Sequence, residues 1–267
     1  MAFNNIMQLA TSIVAQNVTE SSVVEWGNQR FRYNEAWIDK CQQASGKTIR
    51  KPVEFVWEFF EDIGYNNYLA IDINTELKSI AMDLNFILAD KYQYTDTFDL
   101  VTNNGTGEHI FDQRTVFENM HNLCNVGGTM LCVLPFGPWI NHGFYNYHPC
   151  LFRDIVAANQ YEWQFLWLAQ NTGKYIELPV DDWAFYEQKK ALTPPSTLEK
   201  AYTELHNATG NKPQNVSLVA AYRKITDQPF RVPMQGRYVN DVVDGLRTEY
   251  SDTNVDMRQS NHTSARY

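Results

Sequence analysis

Two rhythms of apolar and polar positions run along this chain. Ile6, Leu9, Ile13 and Val14 recur at helical spacing and predict a helix over residues 5–16. A short strand at 22–26 (SVVEW) stops at Gly27. Residues 28–51 are mixed and polar, with a short helix expected near 35–43; so long a connection suggests a lid or binding loop. Pro52 suits a first helical turn, a helix follows over 53–63, and Gly64 ends it. Residues 67–73 (NYLAIDI) read as a strand and 80–84 (IAMDL) as a brief strand or turn.

The second half repeats the scheme. Strands are expected at 98–102, 129–134, 163–169 and 216–222, and helices at 112–125, 149–159, 181–188 and 196–206. Near-continuous apolar strands alternating with helices imply a mostly parallel sheet covered on both faces. The last two strands, joined by a helical excursion, would supply an antiparallel edge. Apolar content collapses after Thr248. The expected organisation is one domain over 1–247, with 28–51 as a lid insertion and 248–267 as a disordered tail.

Composition narrows the function. At 267 residues and 44% apolar, the chain can bury one large core. A net charge of −9 disfavours nucleic acid, whose binding rests on Lys and Arg. The four cysteines form no CxxC pair and are expected to be core thiols. No run approaches the roughly 18 apolar residues of a membrane span. The N-terminus lacks a basic leader region, so a cytoplasmic location is expected.

In an open α/β sheet, ligands sit at the carboxyl ends of strands. Here those ends carry the unusual polar chemistry. Asp72 could accept bonds from ribose hydroxyls, whereas its dull role is to cap a turn. Asp83 and Leu84 could meet an adenine. Glu25-Trp26-Gly27-Asn28-Gln29 closes the first strand, with Gly27 permitting close backbone approach. Asn103, Asn104 and Gly105 precede Glu108 and His109. Trp139, Asn141, His142, Tyr145 and Tyr147 crowd the loop after the fifth strand. His142 and His109 are candidate general bases, because imidazole is the side chain that most readily exchanges a proton near neutral pH. Glu108, Trp139, Asn141, Tyr145 and Tyr147 are candidate substrate contacts. A metal site built from Glu108, His109, His142 and His148, as in a hydrolase, is the weaker reading, because no pair has H-E-x-x-H spacing.

YLAIDIN, MDLN, FDLVTNNGTGEH, the VGG before the fifth strand and NHGFYNYHP occur in an order that resembles class I S-adenosylmethionine-dependent methyltransferases. The nearest likeness is to a divergent branch associated with bacterial glycan and secondary-metabolite clusters. The resemblance covers about residues 22–222. It implies a Rossmann-like sheet of seven strands, the last antiparallel, and S-adenosylmethionine as cofactor. It places Glu25, Gly27 and Asn28 at the methionine end, Asp72 at the ribose, Asp83 and Leu84 at the adenine, and Asn103, Asn104 and Gly105 by the sulfonium. The implied acceptor is a small molecule or glycan, with neither nucleic acid nor membrane as partner. One departure stands out. The usual E/D-x-G-x-G-x-G loop is here Glu25-Trp26-Gly27-Asn28-Gln29-Arg30-Phe31, which lacks the second and third glycines. A catalytically degenerate binding module is therefore the alternative.

Overall fold

The computed structural model describes residues 2–180, 197–207 and 215–235. The elements are β1 (Ala2–Phe3), α1 (Asn5–Val14), β2 (Ser21–Trp26), β3 (Arg30–Phe31), α2 (Glu35–Ser45), α3 (Val56–Asp62), β4 (Tyr65–Asp72), β5 (Ser79–Ala81) and α4 (Leu88–Tyr92). They continue with β6 (Phe98–Asn104), α5 (Gln113–Leu123), β7 (Cys124–Gly137), α6 (Pro149–Ala158), β8 (Glu162–Gln170), β9 (Tyr175–Glu177), α7 (Thr197–His206) and β10 (Val216–Arg223).

The main sheet has the order β5-β4-β2-β6-β7-β10-β8-β9. From β5 to β7 every pairing is parallel. This is a doubly wound, Rossmann-like arrangement, whose strand order reverses between β2 and β6. The last strand, β10, runs antiparallel to both neighbours. It does not form the edge: it is inserted between β7 and β8, and the antiparallel edge is the three-residue β9. Two antiparallel pairings in succession leave β8 pointing the same way as β7.

Strand periodicity divides the core. Val23, Leu100, Leu131, Val133, Phe165, Trp167, Val219 and Ala221 face α1, α2 and α3. Their neighbours Val24, Val101, Cys132, Leu134, Leu166, Leu168, Leu218 and Ala220 face α5, α6 and α7. A strand buried on both faces has no polar side to show, which is why these segments read as unbroken apolar runs. Helix starts are capped locally. Asn4 Oδ1 accepts from Ile6 N, Asn34 Oδ1 from Trp37 N and Asp112 Oδ1 from Thr115 N.

The segment 28–51 is built into the core. Trp37, Ile38, Cys41 and Ile49 join the cluster on the α1 face, and β3 pairs with β1 in a small parallel sheet. The cysteines are free thiols, three of them buried. Among the described residues no helix is long and apolar enough to cross a membrane. The helix expected at 181–188 and the tail at 248–267 lie outside the described residues.

Candidate active site

The reversal of strand order leaves a crevice at the carboxyl ends of β2 and β6, where Trp26 stands opposite Asn103. Gly27 turns the chain out of β2 with φ +75° and donates its N–H to Ile71 O at 2.8 Å. A Cβ on Gly27 would stand 2.4 Å from Thr106 Oγ1, which itself donates to Trp26 O at 2.6 Å. The loop after β6 therefore leans on the loop after β2, and only a glycine permits it. Gln29 closes the join from the other side, donating Nε2 to Asn104 O at 2.7 Å while 2% exposed. Beyond Gly27 the chain enters β3 rather than a helix, so no helix N-terminus opens directly from this turn.

Asp72, at the end of β4, is heavily used. Its Oδ2 accepts from Asn28 N at 2.8 Å, and its Oδ1 accepts from Ile73 N at 2.6 Å and Asn74 Nδ2 at 2.9 Å. Asn28 also reaches Glu76 O and Ser79 Oγ through its side chain. Two carboxylate oxygens offer about four lone-pair positions, so one on Oδ2 stays open. Next to it Ile73, just beyond the carboxyl end of β4, is 82% exposed. Asp83 Oδ1 caps its own turn by accepting from Asn85 N and Asn85 Nδ2. Leu84 is buried in the core beneath that turn.

Glu25 is wholly buried one residue before the strand end. Tyr68 donates its hydroxyl to Glu25 Oε2 at 2.7 Å. Burial pushes the Glu25 carboxyl up to about 8, opposed by the Tyr68 hydroxyl and then by the nearby Asn104 side chain. Among the described residues, several buried polar atoms around it lack hydrogen-bond partners: Glu25 Oε1, Gln29 Oε1, Thr102 Oγ1, Asn103 Nδ2 and Asn104 Oδ1. Gly105, with φ +76°, turns the chain away from this group.

A second cluster forms where the loops after β6 and β7 meet. Glu108 and His109 lie in a 3-10 turn, Gly107–His109. His142 Nε2 is 3.0 Å from Glu108 Oε1, and His109 Nε2 is 3.8 Å from the same oxygen. The Trp139 ring lies 4.7 Å from the His142 ring, anchored by its Nε1 donating to Val216 O. Asn141 takes a positive φ of 57° just before His142. Gly143 then lets the loop touch Glu108, since a Cβ there would lie 2.8 Å from Glu108 Cγ; Phe144 N donates to Glu108 O. Burial raises the Glu108 carboxyl, with His142 opposing, and burial lowers His109.

The remaining loop candidates separate. Tyr145 donates to Phe111 O on an exposed rim that includes Phe144 and Ile140. Tyr147 is buried and donates to Gln113 Oε1. His148 sits apart from the other histidines and caps α6, its Nδ1 accepting from Cys150 N. Gln29, Tyr68, Thr106 and Gly143 are the site components that sequence reasoning did not assign. The fused Glu108-His109 step at a strand end was a legible signal; Thr106 packing on Gly27 was not.

No protein-family model matches the chain, and no curated protein matches it. Among solved structures, the chain is similar to TehB from Haemophilus influenzae at 11% identity, covering 79% of this chain and 60% of that one, with TM-score 0.44. It is similar to a Burkholderia thailandensis 1,6-didemethyltoxoflavin-N1-methyltransferase with bound 1,6-didemethyltoxoflavin and S-adenosylhomocysteine (11% identity, 83% and 79% covered, TM-score 0.45). An O-methyltransferase from a trans-AT PKS multienzyme of Brevibacillus brevis, in complex with S-adenosyl-L-homocysteine, is also similar (10% identity, 95% and 78% covered, TM-score 0.43).

Proposed function

We propose that this chain is an S-adenosylmethionine-dependent methyltransferase acting on a small-molecule or glycan acceptor. The observation that carries the reading is the set of polar groups at the switch point. Dinucleotide-binding sheets place a helix N-terminus there to hold a pyrophosphate. Here β3 takes that place, and carboxyl and amide groups gather instead: Glu25, Asp72, Asn103 and Asn104. Such a set suits a nucleoside bearing a cationic tail. The unpartnered atoms support it, because each buried polar group left unpaired costs about 1–3 kcal/mol that a ligand or ordered water would recover.

When bound, S-adenosylmethionine supplies an activated methyl group on a sulfonium. Asp72 would hold the ribose through the open position on Oδ2, with Ile73 and Asp83 flanking the base. Leu84 supports the adenine subsite from beneath. Glu25, Gly27, Asn28, Asn103, Asn104 and Gly105 would line the methionine and sulfonium side. The acceptor would enter over Trp139, Asn141 and Tyr145, with Tyr147 bracing the loop. The proton it loses is the concern of Glu108, His109 and His142. Alignment of the acceptor with the methyl group supplies much of the rate in such a reaction.

Calorimetric titration with S-adenosylmethionine and S-adenosylhomocysteine tests the reading. One site of about micromolar affinity, weakened about tenfold or more in Asp72→Ala, is expected. A folded protein that binds neither compound overturns it. Stoichiometric binding with no methyl transfer across a broad acceptor panel would identify a degenerate binding module instead.

A further inference from the structure

We propose that Glu108, His109 and His142 form a binding site for one divalent first-row transition cation, of which Zn2+ is the reference case. Their ligand atoms all lie within 4.8 Å of one another. Metal–nitrogen and metal–oxygen bonds of about 2.0–2.2 Å place neighbouring ligand atoms of a tetrahedral or octahedral set about 3.0–3.6 Å apart. The separations from Glu108 Oε1, 3.0 Å to His142 and 3.8 Å to His109, bracket that range.

An ordinary hydrogen-bonded His–Glu pair explains only part of this geometry. It accounts for His142 and leaves two observations over. His109 aims its own Nε2 toward the same carboxylate oxygen. Glu108 Oε2, fully buried, has no hydrogen-bond partner among the described residues. A cation shared by both imidazoles and the carboxylate accounts for the convergence, and Oε2 is then free to bind it as a second oxygen or to hold a metal-bound water.

The arrangement is also held in place before any ion arrives. Gln113 Nε2 donates to Gly107 O and Ile110 O and so clamps the turn carrying Glu108 and His109. Gly143 and Phe144 N lock the His142 loop to Glu108. Trp139 packs against the His142 ring. Rigid support of this kind is what a preorganised metal site requires. Two imidazoles and one carboxylate suit zinc, iron, cobalt or manganese rather than calcium or magnesium, which prefer all-oxygen sets. Three protein ligands leave at least one coordination position for water or an acceptor oxygen. The site does not depend on methyl transfer, since cation binding needs none of the residues around β2 and β4.

The test uses the full chain, stripped with EDTA and titrated with ZnCl2 by calorimetry without any nucleoside present. One Zn2+ per chain at about micromolar affinity or tighter is expected, with His109→Ala and His142→Ala each weakening it about tenfold or more. CoCl2 should give visible d–d absorption that both variants abolish, and MgCl2 should give no binding. His109 is partly exposed, so its variant is expected to fold. Absence of a 1:1 Zn2+ site, or an affinity unchanged in His109→Ala, overturns the proposal. A parallel titration of the metal-free protein with S-adenosylhomocysteine reports on the nucleoside site separately.

Discussion

The backbone N–H of Asn28 donates to Asp72 Oδ2 at 2.8 Å, so the loop leaving β2 is tied to the end of β4 by the carboxylate expected to hold a ribose. In a glycine-rich loop the backbone itself would shape the crevice. Here the Asn28 and Gln29 side chains do part of that work, bridging to Ser79 on one side and Asn104 on the other. Asp72 is therefore a structural link as well as a candidate ligand.

Asp72→Ala should accordingly lose stability as well as nucleoside affinity. Removing the carboxylate unpairs Asn28 N and Ile73 N at a partly exposed site, at a cost of about 1–2 kcal/mol. Urea unfolding of Asp72→Ala and Asp72→Asn checks it, and the Asn variant, which keeps one acceptor oxygen, should recover part of the loss. Wild-type stability in Asp72→Ala would show that the link contributes nothing.

Gly27 and Gly46 allow backbone strain to be separated from steric conflict. Both have φ near +70°, at 75° and 71°. Among the described residues a Cβ on Gly46 meets nothing within 4 Å, whereas one on Gly27 meets Thr106 Oγ1 at 2.4 Å. Gly46→Ala should cost about 1 kcal/mol, the usual penalty for a left-handed non-glycine residue. Gly27→Ala should cost about 1–3 kcal/mol more, since its neighbour must move or the chain must bend. Thermal melts of the two variants give the comparison directly; equal losses would refute the close approach of Thr106.

Much of this was legible in the sequence because burial on two faces writes itself into composition. The 98–102 and 129–134 runs are apolar throughout since Leu100 and Val101, or Leu131 and Cys132, serve opposite cores. Short pieces escaped: β1 and β3 are two residues each, too brief for any periodicity. The antiparallel direction of β10 was expected, but its place between β7 and β8 escaped, because an apolar run does not say which strands flank it. At the site, the strand-end positions of Asp72 and Asn103 were readable. The convergence of His109 and His142 on one oxygen was not, since it depends on two loops 33 residues apart in sequence meeting at Gly143.

Lys224 offers a test far from the crevice. Its ammonium is buried and donates to His121 O and Cys124 O at the end of α5, where His121 O also accepts from the capping Cys124 N–H. A cation at a helix C-terminus is favourable, and here it also satisfies the acceptors. Lys224→Met should destabilise by about 1–3 kcal/mol, since Cys124 O loses this donor while His121 O keeps only the Cys124 N–H. Burial first, and then the Lys224 charge, depress His121 to about 4. The variant should therefore raise the His121 pKa, readable by NMR titration. An unchanged melting temperature would contradict this account.

Glu25 should govern how stability falls above neutral pH. Its carboxyl titrates near 8 in the folded chain, against a usual value of 4.5, so the folded state holds a proton that the unfolded state has released. Stability then declines as pH rises from 4.5 and stops declining above 8, because unfolding releases the cost of a buried charge. Below about 6.5 the depressed His121, which must gain a proton on unfolding, has the opposite slope and masks the effect. Between pH 7 and 9 that histidine no longer contributes. Glu25→Gln keeps an oxygen for the Tyr68 hydroxyl and offers N–H donors toward Asn104, without any charge to bury. At about 1.4 kcal/mol per pH unit of displacement, the variant should exceed wild type by a few kcal/mol at pH 9 and differ little at pH 5. Urea denaturation at both pH values measures this. A wild-type stability that does not fall from pH 7 to 9, or a variant weaker than wild type at pH 9, would mean that Glu25 is already ionised in the folded protein.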